Sequence, residues 1–214
     1  RPGRPYDGAA CHPRVGDAEA LHFGDMLRLR YVDSEDSEDY HFLSTVYMTI
    51  DLADVNGDGL LDLVYCPSRE DKVYLHLNAG RRDAGGMPVF VAAGSVPRQT
   101  SAWEPCRAVD LNGDGKVDLV VAGLYLENTS ATGWPMEFAQ GVALNVGDGA
   151  CFYDVDGDGR LDAVCLIPDP GEGKWAKRVA WQRNLGGDPP RFSDPMPLPG
   201  VDASWCGALA AVNE

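Results

Sequence analysis

Three nine-residue stretches share one arrangement of oxygen-bearing side chains: Asp54-Val-Asn56-Gly-Asp58-Gly-Leu60-Leu-Asp62, Asp110-Leu-Asn112-Gly-Asp114-Gly-Lys116-Val-Asp118 and Asp154-Val-Asp156-Gly-Asp158-Gly-Arg160-Leu-Asp162. In a tight loop, side chains at positions 1, 3 and 5 turn their oxygens toward a common centre, and Gly at positions 4 and 6 permits the left-handed backbone this needs. The carbonyl at position 7 (Leu60, Lys116, Arg160) and the carboxylate at position 9 (Asp62, Asp118, Asp162) close the shell. With water, such a set supplies the six to eight oxygens that calcium accepts at about 2.3–2.6 Å, whereas magnesium demands a stricter octahedron. The chain is therefore expected to hold about three calcium ions, one per loop.

An EF-hand loop begins in the same way but needs a bidentate Glu at position 12 and helices on either side. Position 12 is Tyr65, Val121 and Cys165 here, which excludes that motif. Metal-free Asp-Gly turns would explain one such loop more readily than three.

The charge balance agrees with a cationic partner. Asp and Glu number 33 against 18 Lys and Arg, a formal charge of -15, which three calcium ions would bring to about -9. An acidic surface disfavours nucleic acid and anionic membrane. No run approaches the roughly 20 apolar residues of a membrane-spanning helix.

The loops need rigid elements on both sides, and the flanks provide them. Asp62-Leu-Val-Tyr, Asp118-Leu-Val-Val and Asp162-Ala-Val-Cys follow the loops, while Tyr47–Leu52 and Cys106–Val109 precede two of them; all read as short strands. Lys72-Val-Tyr-Leu-His-Leu-Asn78-Ala-Gly80 resembles Arg178-Val-Ala-Trp-Gln-Arg-Asn184-Leu-Gly186, and a turn and a Phe (Phe90, Phe192) follow each. Val73, Leu75 and Leu77 alternate with Lys72, Tyr74 and His76, a strand period of two. One unit is thus strand, acidic loop, strand, turn, strand, turn, strand in about 45 to 55 residues, the size of a propeller blade. The 25 Gly and 15 Pro, spread along the whole chain, suit many tight turns. Pro189–Pro199 reads as an inter-strand loop and Asp33–Asp39 as a solvated one.

These residues resemble the FG-GAP or VCBS repeat family, the calcium-loop β-propellers of integrin α-subunit heads, certain lectins and many secreted bacterial proteins. The likeness is specific over Tyr47 to Phe192. It implies an all-β propeller of four-stranded antiparallel blades, with each loop joining a blade's first two strands and the ligand positions named above carried over one by one. Family propellers usually have seven blades, whereas 214 residues hold about four. Either residues 1–214 form a single small propeller domain whose ends share a blade, Leu21–Tyr31 supplying outer strands and Trp205–Asn213 an inner one, or the chain is part of a larger ring.

The remaining candidates are weaker. Trp134, Trp175, Trp181, Trp205 and Tyr125 offer stacking faces for sugars, although Trp181 and Trp205 suit blade packing better. His12, His22, His41 and His76 sit in no catalytic or metal spacing, and Asn128-Thr-Ser130 fits a glycosylation sequon that arises readily by chance. Six widely spaced cysteines suit either disulfides in an oxidising compartment or buried thiols. The chain opens on Arg1-Pro-Gly-Arg-Pro without a leader pattern, as a mature secreted chain or a piece of a longer one would. The expected function is a non-enzymatic, extracellular recognition, adhesion or structural module with a glycan or protein ligand. The alternatives are the propeller of a secreted polysaccharide lyase and a self-assembling fibre or coat subunit.

Overall fold

The computed structural model describes residues 30–32, 41–42, 48–67, 71–97, 105–131, 133, 135–170 and 176–202. Among these every regular element is a strand. The first sheet contains β1 (Arg30–Val32), β2 (His41–Phe42), β3 (Met48–Ala53), β4 (Asp62–Pro67), β5 (Lys72–Arg82) and β6 (Pro88–Pro97), in the order β2-β1-β6-β5-β4-β3. The second holds β7 (Cys106–Val109), β8 (Asp118–Val121), β9 (Leu124–Leu126) and β10 (Val142–Ala143), in the order β10-β9-β8-β7. Then come β11 (Asp148–Tyr153), β12 (Asp162–Pro168), β13 (Lys177–Gln182), the small ribbon of β14 (Asn184–Gly186) with β15 (Arg191–Phe192), and β16 (Met196–Asp202). The third sheet runs β11-β12-β13-β16.

Each acidic stretch joins the first and second strands of an antiparallel four-strand unit: β3 to β4, β7 to β8 and β11 to β12. The register is the same in all three. The residue before the first loop Asp pairs with the last loop Asp, as Ala53 with Asp62, Val109 with Asp118 and Tyr153 with Asp162. Register in a hairpin is set by its connection, so an identical loop length closes each unit at the same rung.

The cores lie between the sheets. Leu119 and Val121 of β8 pack with Val64, Cys66 and Leu75 of the first sheet, while Val120 joins Tyr125, Phe152, Ala163 and Cys165 on the other side. A strand buried on both faces carries a continuous apolar run in place of alternation, and Leu-Val-Val after Asp118 is one. Fully burying each such side chain is worth about 1.5–3 kcal/mol.

The first strands of the three units run beside one another. Backbone N–H groups of Cys106 and Ala108 in β7 donate to Thr49 Oγ1 (3.0 Å) and Asp51 Oδ2 (2.9 Å) of β3. On the other side Arg107 Nε donates to the Ala150 carbonyl of β11 at 3.3 Å. Sheets stacked face to face through their cores, with first strands adjacent, are the arrangement of neighbouring propeller blades. The all-β, propeller-like architecture is thus present, with three loop-bearing units among the described residues. Closure through a blade shared by Leu21–Tyr31 and Trp205–Asn213 falls almost wholly on residues outside those described, as do the Asp33–Asp39 loop, Trp134, Trp175 and Trp205.

Several sequence expectations need correction. Pro189–Pro199 is not a loop throughout: β15 and the start of β16 lie within it. Among the described residues β16 is an edge strand, a place where proline is tolerated when its nitrogen faces away from the neighbouring strand. At the N-terminal end, in a pairing the sequence does not suggest, β1 runs parallel to β6, so Arg30–Val32 extend the first sheet. In β5 the alternation slips at a bulge between Leu75 and His76, and His76 rather than Leu77 is buried, its ring beside that of Tyr65. The four described cysteines, Cys66, Cys106, Cys151 and Cys165, are all buried in the sheets. The Cys165 thiol donates to Gln182 Oε1 at 3.3 Å, and burial raises its pKa.

Gly147 shows how tightly the third sheet meets the chain that leads into it. A Cβ there would lie 2.7 Å from both the Leu166 carbonyl and Cys165 Sγ. Because one neighbour is backbone, Gly147→Ala is expected to cost about 1–3 kcal/mol, as overpacking does. Thermal denaturation of the variant should show a midpoint lower by several degrees, and an unchanged midpoint would contradict the packing described.

Candidate metal centres

The six loop glycines have φ of 77° and 87° (Gly57, Gly59), 79° and 88° (Gly113, Gly115), and 76° and 85° (Gly157, Gly159). The three loops therefore repeat one left-handed trace. No atom lies within 4 Å of where a Cβ would stand at any of the six, so the backbone angle, not crowding, demands glycine.

That trace turns successive N–H groups onto the first Asp. Asp54 Oδ1 accepts from Gly57 N (2.8 Å) and Asp58 N (3.0 Å), and its Oδ2 from Gly59 N (2.8 Å). Asp110 and Asp154 take the equivalent three bonds at 2.8–3.1 Å. Asn56, Asn112 and Asp156 each accept from the N–H of position 5, and Asp58, Asp114 and Asp158 from that of position 7. Positions 1, 3 and 5 are thereby held on one loop, and in the third copy ligand atoms of Asp154, Asp156 and Asp158 lie within 4.8 Å of one another. Leu60, Lys116 and Arg160, the expected carbonyl donors, sit on the exposed rim of their loops.

Position 9 is placed differently. Asp62, Asp118 and Asp162 are fully buried. One oxygen of each accepts the N–H of position 2: Val55 (3.0 Å), Leu111 (3.1 Å) and Val155 (3.3 Å). The other accepts the N–H of an asparagine: Asn78 (2.7 Å), Asn128 (2.8 Å) and Asn184 (2.8 Å). A ring group joins in the second and third copies, where Tyr125 Oη and Trp181 Nε1 donate at 3.0 and 2.9 Å. Burial raises the carboxyl pKa of Asp62 and Asp118 above the ordinary 3.8, against the lowering effect of their N–H donors.

The asparagines form a motif that sequence reading only half saw. Asn78, Asn128 and Asn184 each donate Nδ2 to the position 8 carbonyl (Leu61, Val117, Leu161) at 3.0–3.1 Å. Each also accepts from the N–H two residues on, in Gly80, Ser130 and Gly186. The Asp-to-Asn separation is 16, 10 and 22 residues, so hairpins of unequal length hid the third copy. Asn128 is thus a buried strut, and the sequon it heads is structural. Tyr125, offered as a sugar platform, is buried against Asp118, and Trp181 is committed to Asp162.

The third loop also carries two cations. Arg183 Nε lies 2.7 Å from Asp156 Oδ2 and its Nη2 3.0 Å from Asp158 Oδ2, where Arg160 Nη2 also donates. The Asp158 pKa is lowered, chiefly by the Arg160 N–H and further by the two guanidinium groups.

The donor set suits a hard divalent cation. In the third loop three carboxylates, Asp154, Asp156 and Asp158, stand close together, preoriented by N–H groups that leave lone pairs unused. For Asp62 and Asp118, a nearby positive charge would favour the ionised form that burial disfavours.

Sheet and loop together define a repeat-built, propeller-like β-protein with acidic Asx loops. The FG-GAP-like repeat family model matches residues 54–121, from the first loop through the strand after the second. The third loop lies beyond that match yet keeps the same glycine angles and N–H bonds. No curated protein matches the chain.

Proposed function

We propose that this chain is a calcium-ordered module of the FG-GAP type that acts outside the cell in recognition or adhesion, without catalysis. The observation that carries the reading is the threefold recurrence of one loop conformation with an oxygen donor at positions 1, 3 and 5. In each loop Asp and Asn at those positions, the position 7 carbonyl and the position 9 carboxylate would hold the ion. A bound ion would neutralise charges that otherwise repel and so fix each strand-loop-strand.

A glycan or protein ligand would then meet a surface made stiff by metal. A cavity of about 260 Å³ lies between the second and third sheets, lined in part by Arg107, Leu124, Leu144 and Asp148. Arg107 stands at one wall of this cavity as a positive group.

Glycan-array binding in calcium and in chelator tests the reading. Calcium-dependent retention of a glycan class is expected. Binding indifferent to chelator, or cleavage of an acidic polysaccharide with new ultraviolet absorbance, would overturn it.

A further inference from the structure

We propose that Arg183 is a built-in competitor for the cation at the third loop, so that the three loops differ in calcium affinity and the third fills only as Arg183 is displaced. This rests on the calcium reading above. The three loops are alike in backbone but not in what surrounds them. The residue before the hairpin asparagine is Leu77 in the first copy, Glu127 in the second and Arg183 in the third. Position 3 is Asn56, Asn112 and Asp156. The one copy with a carboxylate at position 3 is therefore the one with an arginine poised beside it.

The contacts show what the arginine does there. In Asp156 and Asp158, Oδ1 is spent on backbone N–H groups, and Oδ2 is the oxygen left for a ligand. Arg183 reaches the Oδ2 atoms of both, bridging positions 3 and 5, and Arg160 adds a second guanidinium on Asp158. Among the described residues no Lys or Arg pairs with a side chain of the first or second loop in the same way. A guanidinium on those oxygens must leave before a metal can take them. The side chain is half exposed, so its hold is modest and reversible, within the range of exposed ion pairs.

Calcium titration by calorimetry, comparing wild type with Arg183→Leu, the residue at the matching position of the first copy, tests this. In the variant the third site is expected to bind about three- to tenfold more tightly and, with its extra carboxylate, to become the tightest of the three. Wild type should show two similar sites and a weaker third. Three equivalent sites in wild type, or a third site unchanged by the substitution, would overturn the competitor role while leaving calcium binding intact. Absence of calcium at every loop would remove both. A second readout needs no variant: the Arg183 Nε–H signal in NMR should be ordered in chelator and lose that order as the third site fills. A signal mobile without calcium would overturn the inference whatever the variant does.

Discussion

Asp118→Ala is expected to bring the protein to the edge of unfolding even in excess chelator, with a loss of about 3–5 kcal/mol. The carboxylate is fully buried and accepts from the Leu111 N–H, the Asn128 N–H and the Tyr125 hydroxyl. Each buried donor left without an acceptor costs about 1–3 kcal/mol, less where water can enter. Domains of this kind hold only about 5–15 kcal/mol in total. Asp114→Ala, on the exposed tip of the same loop, should cost under about 1 kcal/mol without calcium, since its loss also relieves like-charge repulsion. Denaturant unfolding of both variants in chelator checks the contrast. Equal losses would mean that the last loop Asp serves only the metal and not the fold.

Removing calcium from the wild type is expected to lower its thermal midpoint by about 5–10 °C. An ion at a hundred times its dissociation constant stabilises by about 2.7 kcal/mol per site, and each kcal/mol shifts a domain of this size by about 2–4 °C. Three sites would give more if unfolding were fully cooperative, but a third site weakened by Arg183, as proposed above, and local opening of single loops would reduce the sum. Calorimetric scans in calcium, in magnesium and in chelator measure it. A midpoint indifferent to the metal would contradict ordering by calcium.

The acidic loops and the strands beside them were legible because their chemistry repeats at fixed spacing: Asp and Asn at alternate places, Gly where φ is positive, and apolar runs after Asp62, Asp118 and Asp162. What spacing could not show was burial. Position 9, read as one more ligand in a row, also closes the rung that joins the loop to the first two strands. Its partner Asn128 reads in the sequence only as the head of a sequon, because ten residues separate it from Asp118, where sixteen and twenty-two separate the other pairs. Tyr125 looked like a surface aromatic because no local pattern reveals that its hydroxyl has a buried acceptor. The prolines near Pro197 suggested a loop, and only sheet order shows that their strand lies at an edge. The guanidinium groups at the third loop come from Arg160 within it and from Arg183 well beyond it, a meeting that depends on the β12 and β13 pairing.

Each of the three turns is expected to gather its oxygens around a divalent ion. Native mass spectrometry from calcium-containing buffer counts those ions directly. The wild type should carry three, and Asp58→Ala, Asp114→Ala and Asp158→Ala two each, the missing ion differing from variant to variant. A wild-type mass with no calcium in millimolar calcium, or variants that keep all three ions, would contradict it.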